Sequence, residues 1–222
     1  MKKSLTLILL LLLALSIKAQ WSIGIKEGCN ITSITRSQAG RIDEVYSNKT
    51  GNDVGLFAKY QFNDFFALRS DLSFMQRSHK MNRTLNYIDK VYSEYRNSYL
   101  TLPVMADFSF GGERLRGHLL TGGYVGYWVS ARRSGTSFWT TDYTIFFHDF
   151  DERMEFTSED RRFNAGVCGG IGLGFDINKC WGIQADAILY YDLVSHNKGY
   201  ENLNDPRYLN TLSITFGASY KF

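Results

Sequence analysis

The chain has 222 residues, 44% of them hydrophobic and 15% aromatic, which suits a single domain with a sizeable core. Its 14 Tyr and 16 Phe, with only 2 Pro, favour β-strands over helices. The formal net charge of +3 comes from Lys2, Lys3 and Lys18, so the other 22 basic residues balance the 22 acidic ones and nucleic acid is excluded as a partner.

Residues 1–19 predict a secretory signal peptide. Lys2 and Lys3 precede an apolar run from Leu5 to Ile17, and Ala19 ends a permissible cleavage site. The apolar run is too short to serve as a lone membrane anchor, and no run of roughly 18 apolar residues follows it. We therefore expect an exported protein with two parts, a signal peptide at residues 1–19 and a β-barrel domain at residues 20–222.

After the signal, apolar and polar residues alternate, which predicts strands with one apolar and one polar face. Eight segments show this pattern: Trp21–Ile34, Val54–Phe62, Phe66–Arg77, Leu100–Phe108, Leu115–Ala131, Arg162–Ile177, Trp181–Val194 and Thr211–Phe222. In the last segment every even position is apolar or aromatic. At roughly 9–11 residues such a segment is long enough to cross a bilayer as a tilted strand.

The orientation of the fifth segment, Leu115–Ala131, stays open because its alternation is the least regular. One arrangement turns four apolar side chains outward: Leu119, Val125, Tyr127 and Val129. The same arrangement turns four larger or polar side chains inward: Arg116, His118, Tyr124 and Trp128.

The connections between segments alternate strictly between short turns and long polar links. The short turns are Phe62–Phe65, Ser109–Arg114 and Asn178–Lys179, and the long links are Thr35–Asp53, Ser78–Tyr99, Arg132–Arg161 and Ser195–Tyr208. Short periplasmic turns, long outer loops and an even number of strands are typical of bacterial outer-membrane barrels. The predicted fold is all-β: an eight-stranded antiparallel transmembrane β-barrel, monomeric, in the bacterial outer membrane.

Several loose motifs resemble the PorT-like outer membrane β-barrel proteins of Bacteroidetes, which are loosely similar to OmpA- and OmpX-type barrels. They are Gly24–Asn30, Tyr99–Val104, Gly122–Tyr127, Gly169–Phe175 and the closing segment. The resemblance spans essentially the whole mature chain, and it implies architecture together with an accessory part in protein secretion.

Glu27 departs from the pattern of this group, in which a small residue usually stands at that position. Alternation along the first segment points Glu27 toward lipid. Either a bulge resets the strand after Lys26, or the predicted register of this strand is wrong.

The polar faces are expected to fill the lumen, since an eight-stranded barrel is only wide enough to be packed with side chains. Buried charges need partners, and five basic and five acidic residues occupy inward positions. They are Lys26, Lys59, Arg69, Arg116 and Lys221, with Asp71, Asp107, Asp176, Asp186 and Asp192. This predicts a structural salt-bridged plug; a proton or ion path is the functional alternative, and no wide channel is expected.

Glycines on the inward face of the sixth segment are expected to make room for large side chains opposite. These glycines are Gly166, Gly170, Gly172 and Gly174, and the side chains considered are Tyr124, Trp128 and Arg116. A phosphate loop is not indicated, because no strand-to-helix turn accompanies the glycines.

The link Arg132–Arg161 is the richest candidate recognition surface, because aromatic side chains on an exposed loop can anchor a partner. The candidate anchors are Phe138, Trp139, Tyr143, Phe146, Phe147 and Phe150. A compatible structural interpretation pairs Thr136–Phe147 with Arg153–Thr157 as a hairpin that extends the barrel wall above the membrane.

No catalytic, metal or cofactor site is predicted. Asp192, Ser195 and His196 lie close in sequence, but adjacent strand residues point to opposite faces, so a nucleophilic triad is not expected. Asp149, Asp151 and Glu152 offer oxygen ligands without a calcium-loop pattern. The pairing of the three cysteines, Cys29, Cys168 and Cys180, stays open.

Fold alone says little about function. The leading hypothesis is a non-enzymatic outer membrane barrel in contact with lipid. Its outer loops would bind a protein or glycan partner, or it would serve as an envelope or secretion accessory. The alternative is a soluble lipocalin-like barrel with apolar residues around a small ligand, and an outer-membrane enzyme is the third.

Overall fold

The computed structural model describes residues 20–36, 44–84, 90–141, 144–196, 198 and 206–222. The predicted signal peptide, residues 1–19, lies outside the described residues and remains a prediction. Within the described ranges, nine strands form one antiparallel sheet: β1 (Gln20–Arg36), β2 (Glu44–Gln61), β3 (Phe66–Thr84), β4 (Lys90–Gly111), β5 (Leu115–Thr141), β6 (Thr144–Met154), β7 (Phe163–Asp176), β8 (Trp181–Asp192) and β9 (Arg207–Lys221).

Eight of these strands close into a ring. The hydrogen-bonded order is β4-β3-β2-β1-β9-β8-β7-β5-β6, and an additional pairing joins β4 to β5. β5 pairs with β7 along its lower half and with β6 along its upper half. The predicted eight-stranded antiparallel barrel is confirmed, and β6 is a ninth strand that extends the wall beyond the ring.

The outer wall is apolar and the lumen polar, as the alternation predicts. Ile25 is 64% exposed and Phe216 68% exposed on the outside, whereas Lys26 and Arg69 are each 2% exposed inside. This orientation is the reverse of a lipocalin-like carrier, which places its apolar residues around an internal ligand. Within the described residues, no helix is long and apolar enough to cross a membrane.

Three tight turns lie at one end of the ring. Asn63 Oδ1 accepts hydrogen bonds from the N–H groups of Phe65 and Phe66, at 3.0 and 2.8 Å, and Asn178 Oδ1 caps the β7–β8 turn in the same way. In the β4–β5 turn Gly111 has φ +127°, a conformation that side-chain-bearing residues rarely adopt. These are the predicted short turns.

The strands run much further at the other end than the sequence pattern predicts. β2 begins at Glu44, β3 continues to Thr84, and β4 begins at Lys90. The predicted long links are therefore partly strand. The apolar alternation stops where the wall leaves the membrane, because above that height both faces of the sheet can meet water.

The predicted hairpin exists with different bounds. β5 continues to Thr141 and pairs with β6, so that Phe138 lies opposite Phe147 and Thr136 opposite Asp149. The predicted pairing of Thr136–Phe147 with Arg153–Thr157 is wrong, because Phe147 belongs to the returning strand. Cross-strand aromatic and β-branched pairs fix this register.

β5 alternates from Leu115 to Val129, after which its register against β4 shifts by one residue and Ala131 is buried, whereas β1 alternates without interruption across Glu27. Val125 and Tyr127 of β5 face outward, while Tyr124 and Trp128 are buried. β1 keeps an unbroken register with β2 and with β9 across Glu27. No bulge follows Lys26, so Glu27 points outward and both proposed corrections to that register are unnecessary.

Candidate functional site

The lower lumen is filled by an ion network centred on Asp71. Lys26 Nζ lies 2.7 Å from Asp71 Oδ2, and Arg69 Nε lies 2.8 Å from Asp71 Oδ1. Arg69 also reaches Asp186 at 2.7 Å, where Gln184 Nε2 donates a further hydrogen bond at 2.7 Å. The strands β1, β3 and β8 supply these residues from separate parts of the wall, so the network ties the ring together across the lumen.

A second set of charges closes the periplasmic end. Lys59 Nζ lies 2.7 Å from Asp107 Oδ2, and Lys221 Nζ lies 2.5 Å from Asp176 Oδ1. Arg116 lines the mouth beside Asp176 and Lys221. Nine of the ten charged residues selected from the sequence thus lie in or on the lumen in these two groups. The tenth, Asp192, lies in a third group with Arg77.

Arg77 forms a further network that the selection of charged residues missed. Its guanidinium lies 2.8 Å from Asp192 Oδ1 and stacks over Tyr99 and Tyr124, at 5.2 and 5.3 Å. Tyr124 also donates a hydrogen bond to Asp192. Alternate residues of β3 point inward, and counting every second residue from Arg69 leads to Arg77. The sequence could therefore have identified Arg77 as an inward residue.

Between the Asp71 network and the Arg77 network lies a layer of apolar and aromatic side chains. Its members are Met75, Met105, Leu120, Tyr124, Cys168, Ile188 and Tyr190. Among the described residues, side chains of charged layers and of a packed apolar layer fill this part of the lumen, which favours a filled barrel over an open pore.

Glycines of β7 make room for this packing. A Cβ at Gly166 would lie 2.7 Å from the Tyr124 ring, and one at Gly174 would lie 2.6 Å from His118 Nε2. A Cβ at Gly172 would meet the Asp186 carboxylate. Tyr124, one of the three large side chains considered, lies at Gly166, whereas His118 lies at Gly174 and Asp186 at Gly172.

The extracellular mouth is a shallow polar and aromatic basin of about 120 Å³. His79 lies on the wall of this basin and stacks on Tyr95 at 4.9 Å. It is five residues beyond Phe74, the last outward apolar residue of β3. Burial, together with the charges of His196 and Arg207, lowers the pKa of His79 to about 3. Arg207 is itself paired with Glu44 at 3.1 Å.

Above the mouth, the β5–β6 hairpin carries the predicted aromatic anchors. Trp139 stacks on Phe146 at 5.9 Å and an interplanar angle of 13°, and Phe138 meets Phe147 edge-on at 5.0 Å. Arg133 lies over the Phe150 ring at 4.7 Å. Five of the six anchors are thus grouped on one hairpin; the sixth, Tyr143, lies outside the described residues.

The residues weighed for other chemistry have different surroundings. Asp192 is buried with Arg77, and Ser195 Oγ accepts a hydrogen bond from the N–H of Arg207 at 3.2 Å. Across the described ranges, no three His, Cys, Asp or Glu residues are grouped to hold a metal ion. Cys29 and Cys180 are exposed free thiols, and Cys168 is a buried one.

Comparison with known proteins gives a family and a fold. The family model for the outer membrane protein beta-barrel domain matches residues 16–221. The outer membrane protein OprG of Pseudomonas aeruginosa is similar over 90% of this chain and 95% of its own, with 12% identity and a TM-score of 0.51. No curated protein matches the sequence.

Two further solved structures are similar at lower TM-scores. Neisserial surface protein A is 13% identical and covers 92% of this chain and 99% of its own, with a TM-score of 0.48. The Ail protein of Yersinia pestis is 14% identical and covers 90% and 98%, with a TM-score of 0.45. The family match and the apolar outer wall together show that the chain belongs to the outer membrane β-barrel proteins and resides in the bacterial outer membrane.

Proposed function

We propose that this protein is a non-enzymatic surface protein whose filled barrel anchors the β5–β6 hairpin for capture of a protein or glycan partner. The observation that carries this proposal is a pair of aromatic contacts on an exposed sheet: Trp139 stacks on Phe146, and Phe138 meets Phe147 edge-on. Aromatic side chains are enriched among the residues that dominate binding energy at interfaces.

The hairpin is ordered before any partner arrives. Arg132 donates two hydrogen bonds to the Asp151 carboxylate, at 2.6 and 2.7 Å, and Thr136 Oγ1 donates to Asp149 Oδ1 at 2.6 Å. β5 is also paired with β4 as far as Phe138. Because side chains already held in place lose less freedom on binding, such a surface supports tighter capture than a disordered loop.

The lumen supports an anchoring role rather than transport. Most of its charges are paired with one another, Asp53 accepts a hydrogen bond from Ser213, and the apolar layer around Met105 and Tyr190 lies between the two ion networks. The side chains weighed as a triad also have structural partners, since Asp192 holds Arg77 and Tyr124. These contacts favour a structural lumen over a catalytic one.

The test is a double substitution on the hairpin. Trp139→Ser with Phe146→Ser should abolish capture of the partner that co-purifies with the intact protein, while leaving heat-modifiable gel migration unchanged. The matched control is Phe65→Ser, which removes an exposed aromatic from a turn at the opposite end of the barrel. Capture that survives the double substitution would remove the hairpin from consideration.

The resemblance to the PorT-like group supports a second candidate, an accessory part in protein secretion. Deleting the gene and comparing the exported proteins of both strains tests it. Loss of a defined set of exported proteins is expected if the barrel assists secretion, and an unchanged set would exclude that role.

A further inference from the structure

Among the described residues of the outer wall, one charge lies at membrane height, on Glu27. Glu27 points outward from β1, flanked by Val54 of β2 and Phe216 of β9. At the described outward positions between the two ends of the apolar wall, all side chains except Glu27 are uncharged. Within the same described ranges, the Glu27 carboxylate has no hydrogen-bond or ion-pair partner.

Glu27 lies inside the apolar band, although the wall turns polar one outward position further along β1 and β2, at Cys29 and Asn52. It is six residues beyond Trp21, whose ring packs on Tyr60 at 4.8 Å among the aromatic side chains of the periplasmic end. Six residues span ~20 Å along a strand and ~15 Å across a membrane at a tilt of ~40°, within a band ~25 Å tall. Beyond Glu27 the outward positions of β9 are still apolar, at Ile214 and Leu212.

A carboxylate at this depth is costly in lipid alone. Ionisable residues within membrane segments are rare, are normally paired and mark functional positions. Long Lys and Arg side chains can extend to the interface, but Glu is too short to leave the hydrocarbon from this height. Either a bound proton or a basic partner would offset this cost, and within the described part of the chain Glu27 has no ion-pair partner.

The wall around Glu27 is shaped to receive one. An apolar groove of about 1160 Å³ runs from Glu27 across β9 and β8, with small outward residues at Ala218 and Ala185. Toward the extracellular side it is followed by a polar groove of about 440 Å³, whose lining includes Cys29, Asn52 and Gln76. The apolar band is thus shorter over β2 and β3 than over β8, and polar outward side chains begin where it ends.

We propose that this groove is the docking surface for a membrane-embedded segment of a different protein, which places one arginine or lysine opposite Glu27. Charge complementarity identifies the occupant: a single acid in an apolar groove is matched by a single base on an apolar surface. Small residues in the groove allow the close approach that membrane segments need, since packing drives their association in lipid.

A second copy of this chain does not fit that requirement. A two-fold contact between the grooves would bring two Glu27 carboxylates together, and like charges at one interface oppose association. No outward basic residue of the described membrane-height wall could neutralise them. The inference is independent of the hairpin, which lies on the extracellular side.

Photo-crosslinking in intact cells tests the proposal. The probe p-benzoylphenylalanine replaces Val54 or Phe216 in the full chain, with Leu102 on β4 as the control position on the far wall. We expect a light-dependent adduct with one integral membrane protein from Val54 and Phe216 only. It should fall at least tenfold with Glu27→Leu and with Glu27→Gln, and persist with Glu27→Asp.

A charge exchange provides the decisive step. Glu27→Lys should abolish the adduct, and the reverse change of the partner's basic residue to Glu should restore it. Adducts with lipid alone, adducts with a second copy, or an adduct indifferent to Glu27→Leu and Glu27→Gln would overturn the proposal. Heat-modifiable migration of each variant confirms that the barrel has formed, and capture by the hairpin should be unaffected.

Discussion

Arg77 is a buried charge whose removal should destabilise the barrel strongly. Its guanidinium is fully enclosed, 2.8 Å from Asp192 and stacked over Tyr99 and Tyr124. Arg77→Met leaves the Asp192 carboxylate buried without its cation, and breaking a buried pair in this way costs about 3–5 kcal/mol. Urea unfolding of the barrel in lipid vesicles measures the loss.

The matched control for Arg77 is Arg132→Met. Arg132 forms an equally close pair with Asp151, but both side chains are exposed, and surface ion pairs contribute little. Its urea midpoint should stay near that of the unchanged protein. Equal losses from both variants would show that the Arg77 network does not stabilise the fold.

His79 predicts a pH dependence at the extracellular mouth. Burial first, then the charges of His196 and Arg207, lowers its pKa from 6.5 to about 3, so folding favours the neutral ring. Between those two values the unfolded chain binds a proton that the folded one does not. The contribution of His79 is therefore complete above about pH 6.5 and is lost as the pH falls toward 3.

The measurement is the urea midpoint at pH 7.5 and pH 5, for the unchanged protein and for His79→Phe. The Phe ring keeps the stacking on Tyr95 without the titrating nitrogen. We expect the unchanged protein to lose stability on acidification and the variant to lose less. An identical loss in both would assign the pH dependence to other groups.

At the scale of one strand, substitutions along β8 measure how deeply each outward residue lies in the membrane. Its outward residues run from Trp181, which packs on Tyr220 at 5.2 Å, through Ala187 near the centre of the strand. An arginine facing lipid costs about 2–4 kcal/mol at the midplane and about 0–1 kcal/mol near an interface. Ala187→Arg should therefore lower the unfolding free energy in vesicles far more than Trp181→Arg.

A reversed order of the two β8 variants would mean that the membrane is not centred on Ala187. The unchanged protein and Tyr220→Phe provide the baseline, because the latter keeps the aromatic contact at the interface. This comparison tests the placement of the apolar band independently of the lumen.

Strands were predictable only where lipid imposes a pattern. Leu212, Ile214 and Phe216 alternate with polar residues because one face meets hydrocarbon, and this part of β9 was predicted correctly. The upper part of β2 was not, since Val45 and Ser47 are both exposed in a wall that water reaches from two sides. Backbone pairing continues there without leaving an apolar signature.

For the whole molecule, the order and orientation of the ring followed from the sequence, while the grouping inside it did not. Alternation identifies Arg69, Asp71 and Asp186 as inward, but their heights depend on how far each strand is staggered against the next. That stagger decides that Arg69 meets Asp186 and that Arg77 meets Asp192. Which charges pair across a lumen is therefore a property of the closed ring.

The seam between β1 and β9 imposes an order of events on assembly. Ser22 lies opposite Lys221, so the ring is completed by segments almost the whole chain apart. Until they meet, the chain has two unpaired edges and an apolar surface in an aqueous compartment, which are the features that promote aggregation. We therefore expect the unassembled polypeptide to require protection from aggregation, and closure of this seam removes both unpaired edges at once.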